Sequence, residues 1–550
     1  MKRIAIVTSS AVAAAGVFAA WALRAADSPR TLGGSQPVYS PYPAALLPAD
    51  LPSELRRVAG EVDIVEQRAI AQWHGLEIRP GTLLQQVQTL GKLELYDRNL
   101  SVNRNLACAS CHMPYTGFTG PISSVNATIA NYPGSVPYRI DARRPQPYTY
   151  APYSPVLHYD AALDQFFGGN YWDLRATGAL PQNPSVTQAE FPPVDPDELS
   201  FPDTACVVYR LSQAAYRPLF ETVWGSDAFQ IRWPANIEDL CAAPGSGSPS
   251  AALAEPDRQP LPLTPPDRQH ANNAYSNFAR AIAAQEYSLE ESAFSSKFDD
   301  AVAHPDRKIL TDDEFAGWGL FNGKARCNLC HADGTAGGAG AVPLRNLPVA
   351  QPLFTDWSSE NLGLPRNPSN PFYYENKPDP YGHVPNGDGA SFRDLGLSAF
   401  LESQDGKVNP DKRWASAAAG HVGEFQTSTV RNADMRPCAG FVKAYFHNGY
   451  IKSLKELVHF YNTRDVYRKD VDPGRCPAGT VEKVTCWPRA EVPQNQSHKL
   501  GNLGLTDREE DQLVAFLRTL TDGYTQPYPD KDVYSGACGS PAQPKRASLR

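Results

Sequence analysis

A mainly α fold built on a repeated unit is predicted by three features of the 550-residue chain. One five-residue motif occurs twice, as Cys108-Ala109-Ser110-Cys111-His112 and Cys327-Asn328-Leu329-Cys330-His331. Each copy follows a stretch with apolar residues at helical spacing, and a further amphipathic stretch lies near the C-terminus. A content of 50 Pro and 40 Gly predicts long irregular connections between the helices.

In C-x-x-C-H the two thiols form thioethers with the vinyl groups of a haem, and the adjacent histidine is delivered to one face of the iron. Cys108, Cys111 and His112, and likewise Cys327, Cys330 and His331, are therefore expected to attach two covalent haems c, with His112 and His331 as iron ligands. A structural zinc site would need four ligands, typically with a second cysteine pair and no fixed trailing histidine. A helix feeding a haem-binding turn is the organisation of a cytochrome c domain, so the predicted architecture is mainly α, with two cytochrome c-like haem domains and long Pro/Gly-rich loops.

The first helix is predicted over residues 82–93, running into Tyr96-Asp97-Arg98-Asn99 ahead of the first motif. The second unit starts the same way: Thr311 and Glu314 form a capping box, and Phe315, Trp318 and Phe321 follow at helical spacing. Between the units, residues 242–269 read as a Pro/Ser/Ala-rich linker or surface loop, with a helix restarting over 274–284. Thr506 and Glu509 cap the last helix, which carries Leu513, Phe516, Leu517 and Leu520 on one face.

Composition bounds the rest. A hydrophobic share of 42% supplies ordinary cores, and a net charge of -8 with no basic block argues against nucleic acid as a partner. Met1-Lys2-Arg3, the apolar run that follows and Ala20-Trp21-Ala22 fit a secretory signal over residues 1–26, which predicts the periplasm; left uncleaved it would be a membrane anchor. Six further cysteines read as three disulfides in an exported chain, with Cys206–Cys241 and Cys476–Cys486 as the local pairings and Cys438 and Cys538 remaining.

These residues resemble the bacterial di-haem cytochrome c peroxidases, including the MauG branch. The likeness runs from Gly91-Lys92-Leu93-Glu94-Leu95-Tyr96-Asp97 through Trp172-Asp173-Leu174-Arg175-Ala176 and Phe425-Gln426-Thr427-Ser428 to Phe446-His447-Asn448-Gly449. The chain is expected to divide into a signal or anchor over 1–26, an extension over 27–80, a haem domain over 81–241, a linker over 242–270, a second haem domain over 271–525 and a tail over 526–550, and the resemblance makes the first haem domain the peroxidatic one. The family places a glutamate ten residues after a Gln-Ala pair, and Gln188-Ala189 and Glu198 reproduce that spacing. The resemblance makes Glu198 the proton-transferring acid, with Asp195 and Asp197 as rivals, Gln188 the residue that orients peroxide and Trp172 the relay between haems.

Two departures shape the expected chemistry. Relatives often block the peroxidatic iron with a histidine, but no histidine lies between residues 113 and 157 and His158 is too near Trp172, so the first haem is expected to be open at rest. For the second haem, Leu454, Leu457, Val458 and Tyr461 share one helical face while His459 points off it. Tyr461 aligns with the position where relatives place an axial methionine or, in the MauG branch, a tyrosine; it is expected to ligate the second iron. His447 and Arg431 are expected near that haem, at a hydrogen bond and a propionate. Arg143-Arg144-Pro145-Gln146-Pro147 stands where relatives often help hold calcium, so calcium is doubtful and no ligands are assigned.

The function expected is a periplasmic peroxidase reducing hydrogen peroxide through a high-valent haem, with electrons from a small cytochrome c or cupredoxin passing through the second haem. The alternatives are a MauG-like enzyme oxidising or modifying a partner protein, a di-haem oxygenase, which the distal glutamate disfavours, and a non-enzymatic electron carrier. The membrane is a partner only if the signal is uncleaved.

Overall fold

The computed structural model describes residues 84–136, 139–245, 261–333, 352–403, 413–467 and 475–525. The signal or anchor, the extension to residue 80, the tail and Cys538 lie outside the described residues. The architecture is mainly α, with two small antiparallel strand pairs, and no described helix is long and apolar enough to cross a membrane.

Helix α1 (Leu84–Leu95) buries Val87, Leu90 and Leu95 on one face and leads through a short turn to the first Cys-His motif. Helix α2 (Pro184–Ala189) starts at Asn183, whose side chain accepts from the backbone of Ser185 and Val186, with Pro184 at the first helical position. Helix α3 (Thr204–Ser212) carries Cys206, which is bonded to Cys241.

Helix α4 (Pro265–Glu286) takes up the last residues of the expected linker over 242–270, of which residues 246–260 lie outside the described residues. The helix is capped by Thr264, whose hydroxyl accepts from the backbone of Asp267, and begins at Pro265, nine residues before residue 274. Its residues Ala271, Ala274, Phe278 and Ala281 pack in the first apolar core with Val87 and Leu90, not with the second half of the chain. The physical reason is a close helix crossing: a Cβ on Gly91 would stand 2.0 Å from the carbonyl oxygen of Ala281, so only glycine lets α1 and α4 meet there.

The second core repeats the device. Helix α5 (Asp312–Asn322), with the Thr311–Glu314 capping box present, crosses helix α7 (Asp507–Arg518), with its Thr506–Glu509 box, at Gly317. There a Cβ would lie 2.0 Å from the carbonyl oxygen of Gln512. Between them in the chain, α6 (Leu454–Tyr467) buries Leu454, Val458 and Phe460. Ser453 accepts from the backbone of Glu456, but the Glu456 carboxylate reaches the amide of Lys452 instead of that of Ser453. Phe298, Phe321, Phe354 and Phe516 meet edge to face in this core.

Strands β1 (His158–Asp160) and β2 (Gln165–Phe167) pair antiparallel, as do β3 (Ser359–Glu360) and β4 (Phe425–Gln426). Strand β4 ties the halves together: the Gln426 amide donates to the Trp172 carbonyl at 2.8 Å, and its side chain donates to Gly169 at 2.6 Å. Both expected local disulfides, Cys206–Cys241 and Cys476–Cys486, are present, and Cys438 is also disulfide-bonded.

Candidate active site

Each Cys-His motif opens onto its own cavity. Cys108, Cys111 and His112 line one of about 1250 Å³, its open mouth included, and Cys327, Cys330 and His331 line another of about 1450 Å³. None of the four cysteines is in a disulfide, as thioether attachment requires. His112 Nδ1 lies 2.9 Å from the Phe118 carbonyl and His331 Nδ1 3.1 Å from that of Phe354. These bonds fix each ring as bonds to the far nitrogen do for metal-bound histidines, and burial pushes both imidazoles down to about 4, in the neutral form that ligates iron. An unbridged cysteine pair, a neutral oriented histidine and a cavity lined by all three together fit a covalently held haem at each motif.

In the first cavity the described lining residues include no histidine besides His112. His158 is exposed on β1, bonded to its own turn at Val156. Glu198, Gln188, Tyr171, Arg175, Asp141 and Asp197 share the cavity with His112. Gln188 lies on α2 and not in a loop, where its amide donates to the Tyr171 hydroxyl at 3.4 Å. The turn bearing Glu198 is held by backbone bonds, Leu199 to Pro192 at 3.0 Å and Ser135 to Glu198 at 2.6 Å. Asp195 closes it by accepting from the Asp197 amide at 2.9 Å. Of the three acids, Asp195 is therefore engaged with backbone and does not line the cavity, and Asp197 is bonded to His383 at 2.8 Å. Burial, then the charges of Asp195 and Asp141, hold the Glu198 carboxyl well above its ordinary range.

In the second cavity, Tyr461 faces inward from α6 with Leu457 and Val458, on the helical face read from the sequence. Burial, with the Cys330 and Cys327 sulfurs next, raises its phenol, so a phenolate forms there only beside a cation. His459 is turned away and bonded to Glu510 and Val484, both at 2.9 Å. His447 corrects the expectation. It does not line this cavity but stacks on Phe425 with ring centroids 3.5 Å apart, because the Phe446 ring takes the inward direction. Arg431 lines the cavity, yet its guanidinium is paired with Asp299 at 2.9 and 2.6 Å.

Trp172, Arg144, Pro147 and Gln426 line both cavities and form the partition between them. Sequence reading singled out Trp172 alone. Arg144 was missed as a partition residue, since its contacts with Phe446 and Thr119 are long-range, at 2.5 and 2.8 Å. Arg143 is paired with Asp173 at 2.7 Å and Asp394 at 2.8 Å, so the stretch on which calcium was in doubt carries its own ion pairs. Tyr171, Asp141 and Arg175 were also missed as cavity residues, although Arg175 stands inside the Trp-Asp-x-Arg-Ala motif and could have been read from it.

Two haem-attachment sites on opposite sides of one indole define an oxidoreductase with two covalently bound haems c. The model of the family described as di-haem cytochrome c peroxidase matches residues 85–307. The methylamine utilization protein MauG of Paracoccus denitrificans (strain Pd 1222) is 28% identical over 443 residues, covering 80% of this chain and 89% of that protein. Cytochrome-c peroxidase IdrP1 of Denitromonas iodatirespirans is 23% identical over 437 residues, covering 78% and 80%. The diheme peroxidase BthA from Burkholderia thailandensis E264 superposes with a TM-score of 0.54 at 23% identity, covering 83% of this chain and 90% of that one, a likeness of fold. Residues 85–307 thus match the di-haem cytochrome c peroxidase family, and the relatives that cover most of this chain are MauG and cytochrome-c peroxidase proteins; the chain is a peroxide-using oxidoreductase, which sets aside the carrier without turnover.

Proposed function

We propose that the protein is an exported peroxidase of two cytochrome c-like domains, which reduces hydrogen peroxide in the first cavity with electrons from a small periplasmic redox protein. The observation that supports this most is Glu198: a half-buried carboxyl facing the His112 cavity, which has no other histidine among its described lining residues. Cys108, Cys111 and His112 hold the first haem; Cys327, Cys330, His331 and Tyr461 hold the second. When bound, the haems supply the iron at which the peroxide bond breaks and the electrons that reduce it.

The chain's own residues do the rest. Glu198 takes the proton from the near oxygen of peroxide and gives it to the departing one, the general acid–base work of this cleavage. Gln188, steadied by Tyr171, orients the peroxide. Trp172, which faces both cavities, couples the two sites. Export is supported by the signal-like N-terminus and by disulfides.

One observation favours a second reading. A phenolate oxygen at Tyr461 favours the oxidised iron, making the second site a poor acceptor of ordinary electrons and suiting a MauG-like oxidation of a partner protein. Electron paramagnetic resonance of the ferric holoenzyme, before and after one equivalent of peroxide, tests both. One high-spin and one low-spin signal, both lost with peroxide, is the expected result. Two low-spin signals indifferent to peroxide would overturn the open first site.

A further inference from the structure

We propose that His383 and Asp197 form the proton inlet of the first cavity and resupply Glu198 from solvent. This rests on the peroxide reading of that cavity and adds residues to it. His383 Nε2 lies 2.8 Å from Asp197 Oδ1, and the two side chains are 2% and 1% exposed. The other oxygen, Asp197 Oδ2, is buried with no hydrogen-bond partner among the described residues, a costly state that a proton in transit relieves. Asp197 lines the same cavity as Glu198, its neighbour in the chain.

The surroundings suit proton storage. Asp195 and Glu198 face Asp197 from its own turn, Asp141 from the segment after Ile140 and Glu375 from the second half of the chain, with Arg175 as the nearby cation. Arg139 is paired with Asp379 at 2.8 Å, and Asp379 in turn accepts from the His383 amide at 2.9 Å. Carboxyls crowded into one dry wall cannot all ionise; burial and the Asp197 charge push Asp195 up to about 8 and Glu375 up to about 8. The turn that presents His383 passes through Tyr381, which is 55% exposed, so the chain reaches the surface two residues before the buried imidazole.

The balance requires such an inlet. Reducing one hydrogen peroxide to two waters takes up two electrons, from the redox donor, and two protons. Glu198 only moves a proton between the two peroxide oxygens, so each turnover needs net supply. His383 gives a proton from Nε2 to Asp197, Asp197 passes one to Glu198, and the imidazole recovers its own from solvent.

The test is peroxide turnover by the holoenzyme against pH, in H2O and D2O, together with an infrared titration of the protonated-carboxyl band in the resting protein. His383→Gln is expected to keep haem content and KM while kcat falls about 10²-fold, the lower end for a positioned proton donor. The solvent isotope effect should rise and the carboxyl midpoint shift. His383→Ala should lose as much and recover in imidazole buffer. Full haem content with wild-type kcat, pH profile and carboxyl midpoint in His383→Gln would overturn the inlet. Should that variant lose haem, Asp197→Asn is read in the same way. Glu198→Gln separates the two ideas: unchanged turnover there sinks the role of Glu198 itself, whereas a slow Glu198→Gln beside a normal His383→Gln sinks the inlet alone.

Discussion

The guanidinium of Arg144 sits 5.2 Å from the centre of the Trp172 ring, while the indole N–H donates to the Arg144 carbonyl at 3.1 Å. The guanidinium is hydrogen-bonded to neutral acceptors, the Phe446 carbonyl, the Thr119 hydroxyl and the Pro145 carbonyl. A cation over an aromatic face is held by about 0.5–2 kcal/mol, and the same field opposes removing an electron from the ring. Trp172 is therefore expected to bridge the sites without becoming a resident radical. In Arg144→Met, peroxide should produce a tryptophan radical signal that the wild type lacks; identical spectra in both would show that the cation does not tune the indole.

Glu198→Gln keeps the shape of the side chain and removes its proton chemistry. Haem content and secondary structure should be unchanged, and the reaction with peroxide, followed by rapid-mixing absorbance, should slow by about 10²–10⁴-fold.

On the proposed ligation by Tyr461, Tyr461→His exchanges an oxygen ligand for nitrogen at the second iron. Low-temperature resonance should then report a bis-histidine signal, and the potential of that haem should rise. An unaltered spectrum would make Tyr461 a packed phenol.

Glu286 on α4 is 2% exposed, and burial pushes its carboxyl up from the ordinary 4.5 to about 8. The folded protein therefore keeps a proton that the unfolded chain releases between those values. Stability from this group is full below pH ~4.5 and falls as pH rises towards about 8. Glu286→Gln should flatten that decline, seen as a smaller drop in Tm between pH 5 and pH 8.

Gly91→Ala and Gly317→Ala force a methyl into backbone at the two helix crossings. Each should cost about 1–3 kcal/mol, the usual range for overpacking, read as a lower denaturation midpoint with haem attachment retained.

What could be read in advance follows the range of the interactions. The haem motifs, the capping boxes at Thr311 and Thr506 and the disulfide between Cys476 and Cys486 are local, and each carries its own pattern. The inward face of Tyr461 was legible because helical spacing alone decides it. The start of α4 was also written locally, in Thr264-Pro265-Pro266-Asp267, but a proline-rich composition hid a Thr cap with Pro at the first position. His383 and Asp197 are 186 residues apart, and Arg144 and Phe446 are 302 apart. No periodicity joins such pairs; only the packing of the two halves does. His447 was misplaced for the same reason, since its stacking on Phe425 depends on where β4 runs.

The shared partition carries a consequence for how the enzyme could have arisen and how it can be dissected. Trp172, Arg144 and Pro147 come from one half of the chain and Gln426 from the other, and strand β4 clamps the Trp172 backbone in place. Electron tunnelling weakens steeply with distance, so this clamp acts as a spacer gauge, setting the gap between the two redox centres at the moment of folding. Neither half is an exchangeable module: a fragment ending before Gln426 would keep both haem motifs and lose the gauge.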